Sequence, residues 1–230
     1  MPFTGSHPAA VLPFSRTPLP LSALVVGSMV PDLPFYLPMP YGRALSHRLL
    51  GVVTVDVAAG LLVHEAWLRV LGPAVGSVLG RRVTLARPDA LRVVAGLALG
   101  AVTHIVWDSF THAGGWGVRL VPALNARIGP LPAYEWAQYA SGAAGAVAIG
   151  TWAWRRRKSL PDQPSLPRRP VAAAVIALAT LAGAALGFRH GLRRPDPVRH
   201  AFYYGATWAV DAGVLALVAV NRVRTAARTR

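Results

Sequence analysis

Three residues recur at four-residue intervals in the stretch 103–112: His104, Asp108 and His112. The chain has no cysteine, so any metal must be held by imidazole and carboxylate rather than thiolate. Four residues advance a helix face by only about 40°, so His104 and Asp108 can grip one ion from adjacent turns. His112 lies further round and is available to a second ion or to a substrate. An isolated His and Asp in an apolar segment also have a plain reading, a hydrogen bond to each other or to a neighbouring helix. This pair is not isolated, because Asp32 follows Pro31 at the end of one apolar segment, His47 opens another, and His7 sits in an otherwise uncharged N-terminal stretch. Ionisable groups in apolar surroundings are costly unless matched. Several of them at one end of a bundle are best neutralised by a cation, which also selects neutral imidazole and ionised carboxylate. Ser109 and Thr111 add hydroxyls beside the cluster and suggest surroundings that admit water.

The elements that must position these residues are apolar and long. Of 230 residues, 53% are hydrophobic and 14% charged, against about 25% charged in an average soluble domain, and the mean hydropathy is +0.41. Trp136 to Trp154 and Val171 to Phe188 contain no Asp, Glu, Lys, Arg or His, and each is about long enough for a helix to cross a hydrocarbon core. The pattern predicts an all-α polytopic membrane helical bundle of about five transmembrane helices, at 47–71, 91–112, 134–154, 171–188 and 200–221. A short segment, Leu19 to Val30, is too brief to span and ends in Pro31-Asp32, so it is expected as a re-entrant or interfacial helix. Ser46 is expected to cap the first span with His47 at its start. Gly114-Gly115 is expected to stop the second, which puts His104, Asp108 and His112 in its last turns. Asp56 falls roughly 13 Å below His47 along the helix, where pairing with Thr54, His64 or another helix is expected.

A net charge of +15 would suit nucleic acid, but the basic residues cap hydrophobic spans instead of lining one amphipathic face, so no nucleic-acid partner is expected. Met1 to Leu12 lacks the basic flank and apolar core of a secretory signal, and the N-terminus is expected to be retained. Connections carrying Arg81, Arg82, Arg87 and Arg92, then Arg155 to Lys158 with Arg168 and Arg169, then Arg222 to Arg230, outweigh the opposite set. The positive-inside rule therefore places them, with the C-terminus, in the cytoplasm. The His/Asp cluster then faces the outer side of a multi-pass protein of the inner (cytoplasmic) membrane. His190 and His200 flank an Arg-rich loop expected at headgroup level. The chain reads as a metal-site membrane core over 1–154, a basic Pro-rich linker over 155–170 and a two-helix membrane tail over 171–230.

Taken in order, Ser6-His7-Pro8, Gly27-Ser28-Met29-Val30-Pro31-Asp32, Ser46-His47-Arg48-Leu49-Leu50-Gly51, and His104-x3-Asp108 followed by Thr111-His112-x-Gly114-Gly115 resemble an uncharacterised bacterial integral-membrane family, domain of unknown function 4184, over roughly the first 150 residues. The same order is similar, more distantly, to the membrane-bound metal-dependent hydrolases and to the all-helical zinc-dependent phospholipase C and nuclease fold. The last resemblance implies that Asp32, His47, His104 and Asp108 hold a first ion and that His7 helps to hold a second, with Asp108 bridging. That fold completes its cluster with a further His and a His-x3-Glu on the next helix, where this chain has Tyr134, Glu135, Gln138 and Tyr139. One or two ions are therefore expected, with zinc the implied metal and Mn or Fe the alternatives. The implied activity is metal-dependent hydrolysis of phosphoesters or lipid-linked substrates at the membrane surface, with the lipid bilayer and its phospholipids as partners. His112 is the free imidazole best placed as general acid or base. The chief alternative is a non-catalytic, metal-stabilised membrane protein or transporter subunit.

Overall fold

Glycines govern the contact on which the rest of the cluster is built. In the computed structural model, which describes residues 4–81, 88–162 and 169–228, helix α1 (Leu21–Gly27) lies along helix α4 (Ala90–Thr111). A Cβ added at Gly27 would meet Leu97 O at 2.2 Å, and one at Gly100 would meet Leu24 O at 2.3 Å. Only residues without side chains let two backbones approach so closely, as in tightly packed membrane helices. The apolar core forms around this contact, from Ala23, Val26, Val30, Ala59, Val93 and Leu97.

Before α1, residues Thr4–Arg16 run as a string of 3-10 turns containing Pro8 and Pro13, which lack the N–H a continuous α-helix needs. After it, a 3-10 turn Val30–Phe35 carries Asp32, and the four-residue helix α2 (Arg43–Ser46) ends at His47. Helix α3 follows at Leu49–Leu79. Its course is broken by π-turns at Val52–Asp56 and Trp67–Leu71. The second precedes Pro73, whose ring and missing N–H disturb the turn before it. At the first, Thr54 Oγ1 donates back to Leu50 O at 2.6 Å. Ser46 does not cap this helix. It closes α2 instead and its hydroxyl donates to Pro31 O at 2.8 Å, while the residue at the start of α3 is Arg48, with no side-chain cap.

Helix α4 is capped by Asp89, whose Oδ1 accepts from Arg92 N at 3.1 Å. It ends as His112 turns extended and Gly114 takes a left-handed φ of 71°. A single turn, α5 (Trp116–Leu120), and a two-strand hairpin, β1 (Arg127–Ile128) with β2 (Leu131–Pro132), lead to α6 (Ala133–Arg156). Then come α7 (Arg169–Gly191) and α8 (Pro197–Arg228).

Among the described residues, four helical stretches are long and apolar enough to cross a membrane: Leu49–Leu79, Ala90–Thr111, Pro170–Gly191 and His200–Val223. Only 17% and 11% of the last two are buried within the protein, so their apolar surfaces suit lipid. Helix α6 has 24 residues, yet Gly, Ala and a buried Gln138 leave it less apolar than these four. The chain divides into two compact units, Met1–Glu65 with Arg87–Arg157, and Ala66–Ala86 with Lys158–Arg230. In the second, α7 and α8 form a hairpin in which Gly183 and Gly187 approach the backbone carbonyls of Trp208 and Tyr204, and His190 stacks on Trp208 with ring centres 5.1 Å apart. Arg82, Arg87, Arg168 and Arg230, counted above for orientation, lie outside the described residues, as does part of the 155–170 linker.

Candidate metal centre

His104 is fully buried on α4, and its Nδ1 lies 2.8 Å from Ser28 O, the carbonyl that the glycine contact brings alongside. A carbonyl can only accept, so Nδ1 carries the hydrogen and Nε2 turns inward. His47 reaches the same arrangement by another route. The single Ser46 hydroxyl hydrogen goes to Pro31 O, so Ser46 Oγ accepts from His47 Nδ1 at 3.1 Å and His47 Nε2 also points inward. Asp32, buried on its 3-10 turn, takes the Thr4 hydroxyl on Oδ2 at 2.6 Å. Asp108, one turn beyond His104, takes Arg43 Nη2 on Oδ2 at 3.1 Å. Each inward-facing ligand atom thus belongs to a residue oriented by a second partner, as is usual behind metal ligands.

The four inward atoms describe a tetrahedron. His47 Nε2 is 3.3 Å from His104 Nε2, 3.4 Å from Asp108 Oδ2 and 3.6 Å from Asp32 Oδ1. His104 Nε2 is 3.5 Å from Asp32 Oδ1 and 3.6 Å from Asp108 Oδ2. The sixth edge, between the carboxylates, is no longer than 4.8 Å. Donors set about 2.0–2.2 Å from a common centre stand about 3.3–3.6 Å apart in a regular tetrahedron. Two imidazole nitrogens this close, with two carboxylates beside them, need a positive charge among them, and the set fits a divalent cation. These four could bind a metal ion; the donor chemistry, imidazole and carboxylate with no sulfur, is common to several such metals.

The sequence model of a family described as Domain of unknown function (DUF4184) matches residues 1–221, and so takes in every residue of the cluster. The chain belongs to that family. No curated protein and no solved structure matches the chain. In this member of the DUF4184 family the four donors lie between positions 32 and 108 of the matched stretch.

His7 stands beside the four-donor set instead of within it. It is fully buried, stacked on His104 at 3.9 Å and edge-on to Trp107 at 5.4 Å. Trp107 Nε1 donates to Ser141 Oγ at 2.9 Å, which ties α4 to α6 next to His7. Gly145 of α6 has Ser6 O only 2.9 Å from where a Cβ would stand, so the glycine face of that helix makes room for the His7 segment. His7 Nε2 is 3.6 Å and His112 Nδ1 3.5 Å from the other Asp108 oxygen, Oδ1. That oxygen, both His7 nitrogens and His112 Nε2 are buried and have no hydrogen-bond partner among the described residues. Burial, and then His104, brings the His7 imidazole down to about 4, so it is neutral near pH 7. Burial also lowers His112, against the pull of Asp108 and with the push of Arg43. Burial alone would raise Asp32, but the His104 imidazole beside it and the Thr4 hydroxyl hold its carboxyl well below the usual carboxylate range.

Two expectations need correction. Ser109 Oγ donates to Val106 O at 2.7 Å and Thr111 Oγ1 to Trp107 O at 3.2 Å; both side chains are buried and folded onto their own helix, and neither opens the cluster to water. Asp56 does not pair with Thr54 or His64. Thr54 bonds its own helix, His64 Nε2 meets Ser22 Oγ at 2.9 Å, and both Asp56 oxygens are buried without a partner among the described residues. Thr4 and Arg43 are not among the candidate residues of the sequence, and Ser28 stands there only inside the Gly27–Asp32 stretch, because each acts on a residue far along the chain.

Proposed function

We propose that the protein is a membrane-embedded metal-dependent hydrolase acting on phosphoesters or lipid-linked substrates at the membrane surface. Zinc is the first candidate metal, with Mn or Fe as alternatives. The observation that carries the reading is the four-donor tetrahedron of Asp32, His47, His104 and Asp108, with both imidazoles oriented Nε2-inward by Ser28 and Ser46. A bound divalent ion supplies Lewis acidity, which lowers the pKa of water and offsets charge on the group under attack.

Hydrolysis needs an open coordination position. The Asp108 Oδ1 edge is where such a position fits, because it offers fewer protein donors, with His7 Nε2 beside it; His7 and Asp108 would help to hold a second ion there. His112 keeps its hydrogen at Nδ1, directed to Asp108 O at 3.2 Å, and so accepts a proton at Nε2. This suits a general base whose burial keeps it neutral. The cluster sits at the ends of apolar helices, which favours a substrate that reaches it from the bilayer surface. In the same reading α6 is the fifth crossing, the C-terminus is cytoplasmic, and the site faces outward across the inner membrane; the arginine distribution supports this orientation.

A second reading has an observation of its own. Four protein donors close a tetrahedral shell, which is the usual form of a structural zinc site, and this favours a metal-stabilised scaffold or transporter subunit. Paired variants separate the two. On a panel of lipid and nucleotide phosphodiesters, the hydrolase reading expects Asp108→Asn to lose both metal and turnover, and His112→Ala to keep metal while losing turnover by about 100-fold or more. A metal-loaded wild type without metal-dependent turnover would leave the structural reading standing.

A further inference from the structure

Arg43 is held over the cluster by the same helical turn that carries two of its parts. His47 N donates to Arg43 O at 3.1 Å, and Ser46 Oγ lies 3.2 Å from the same carbonyl. The guanidinium rests over the Phe35 ring, 5.5 Å from its centre, and gives Nη2 to Asp108 Oδ2 at 3.1 Å. A guanidinium has five N–H donors. Here Nε is buried with no partner among the described residues, while the side chain as a whole stays 40% exposed at the rim. The charges around it do not cancel. Two carboxylates balance one divalent ion, both ligating imidazoles are neutral when they coordinate, and Arg43 then leaves the loaded site with a surplus positive charge. A second ion would enlarge the surplus.

We propose that Arg43 recognises an anionic oxygen of the ligand, so that the site selects tetrahedral oxyanions of the phosphate type over neutral esters. The substrate half of this rests on the hydrolase reading; the binding half rests only on the cluster. Arginine suits the task because its planar fork donates two parallel hydrogen bonds to phosphate oxygens, which lysine cannot reproduce. The shared chemistry, a phosphate dianion, could come from a lipid headgroup or from free phosphate.

The test uses the full-length, metal-loaded protein in detergent, with inorganic phosphate and dihexanoyl phosphatidic acid as separate probes. Binding is read by calorimetry, and metal content and unfolding temperature are read on the same samples. With excess metal holding every sample saturated, Arg43→Ala is expected to weaken phosphate binding by at least tenfold at metal content equal to wild type, and Arg43→Lys to recover part of the loss. Binding of phosphate alone or of the lipid alone identifies the source, and either supports the proposal. If Arg43→Ala does not fold, Arg43→Lys decides, since it keeps a charge beside Asp108 but not the fork. Equal binding in wild type and Arg43→Lys, no binding in wild type, or loss of metal in step with loss of phosphate would overturn the proposal. Arg43-dependent binding without any turnover would retain it and remove the hydrolase reading; turnover indifferent to Arg43 would do the reverse.

Discussion

Ser46 and the Ser28 carbonyl settle the same question for two different imidazoles, namely which nitrogen carries the hydrogen. Groups of this kind behind a metal ligand typically contribute 10- to 100-fold in affinity. Ser46→Ala should therefore weaken metal binding by about that factor while the protein stays folded, as competition with a chelator would show; unchanged affinity would mean that His47 is oriented by packing alone. His7 allows a prediction in pH. Its folded value near 4 lies below the ordinary 6.5, so the unfolded chain binds the extra proton in that interval. Stability of the metal-free protein should then fall as pH drops from about 6.5 to about 4 and level off below. The difference corresponds to about 3 kcal/mol, and His7→Gln should lack that part of the slope in an unfolding titration. His104 and Asp108 were legible in the sequence because their relation is local, one helical turn. Thr4 and Arg43 were not, since they meet Asp32 and Asp108 across 28 and 65 positions.

Among the elements, the contact of α1 with α4 carries the most consequence, because it delivers Ser28 O to His104. A methyl at Gly27 or Gly100 would strike backbone at 2.2 or 2.3 Å, and backbone cannot rotate away as a side chain can. Gly100→Ala is expected to cost about 1–3 kcal/mol and to lower metal occupancy by moving Ser28 and Asp32. Gly150→Ala, at a position with nothing within 4 Å, should change neither. Thermal unfolding in detergent with metal analysis of each variant checks both halves. The apolar runs at 47–71, 91–112, 171–188 and 200–221 foretold the four long apolar helices because continuous hydrophobicity is a property of composition. The π-turns of α3 and the role of Ser46 at the end of α2 were not legible, since both depend on what the chain packs against. Helix α6 was read by its lack of charge, whereas Gly142 and Gly145 show that part of its face serves the Ser6–His7 segment.

For the molecule as a whole, both its topology across the membrane and its metal are open to direct measurement. Reporter fusions at 158–168 and at the C-terminus should read cytoplasm and fusions at 120–130 the opposite side; labelling of 158–168 from outside would turn the site towards the cytoplasm and change the substrates within its reach. The metal is the central claim, and elemental analysis of the purified protein, beside Asp108→Asn and with X-ray absorption at the edge of whichever metal is found, tests it most directly. The account predicts one or two equivalents of a divalent metal in the wild type, a shell of nitrogen and oxygen at about 2.0–2.2 Å, and near-complete loss in a folded Asp108→Asn protein. A wild type that is folded and metal-free after growth and purification with zinc, manganese and iron present, or a metal whose shell is unchanged in Asp108→Asn, would contradict it.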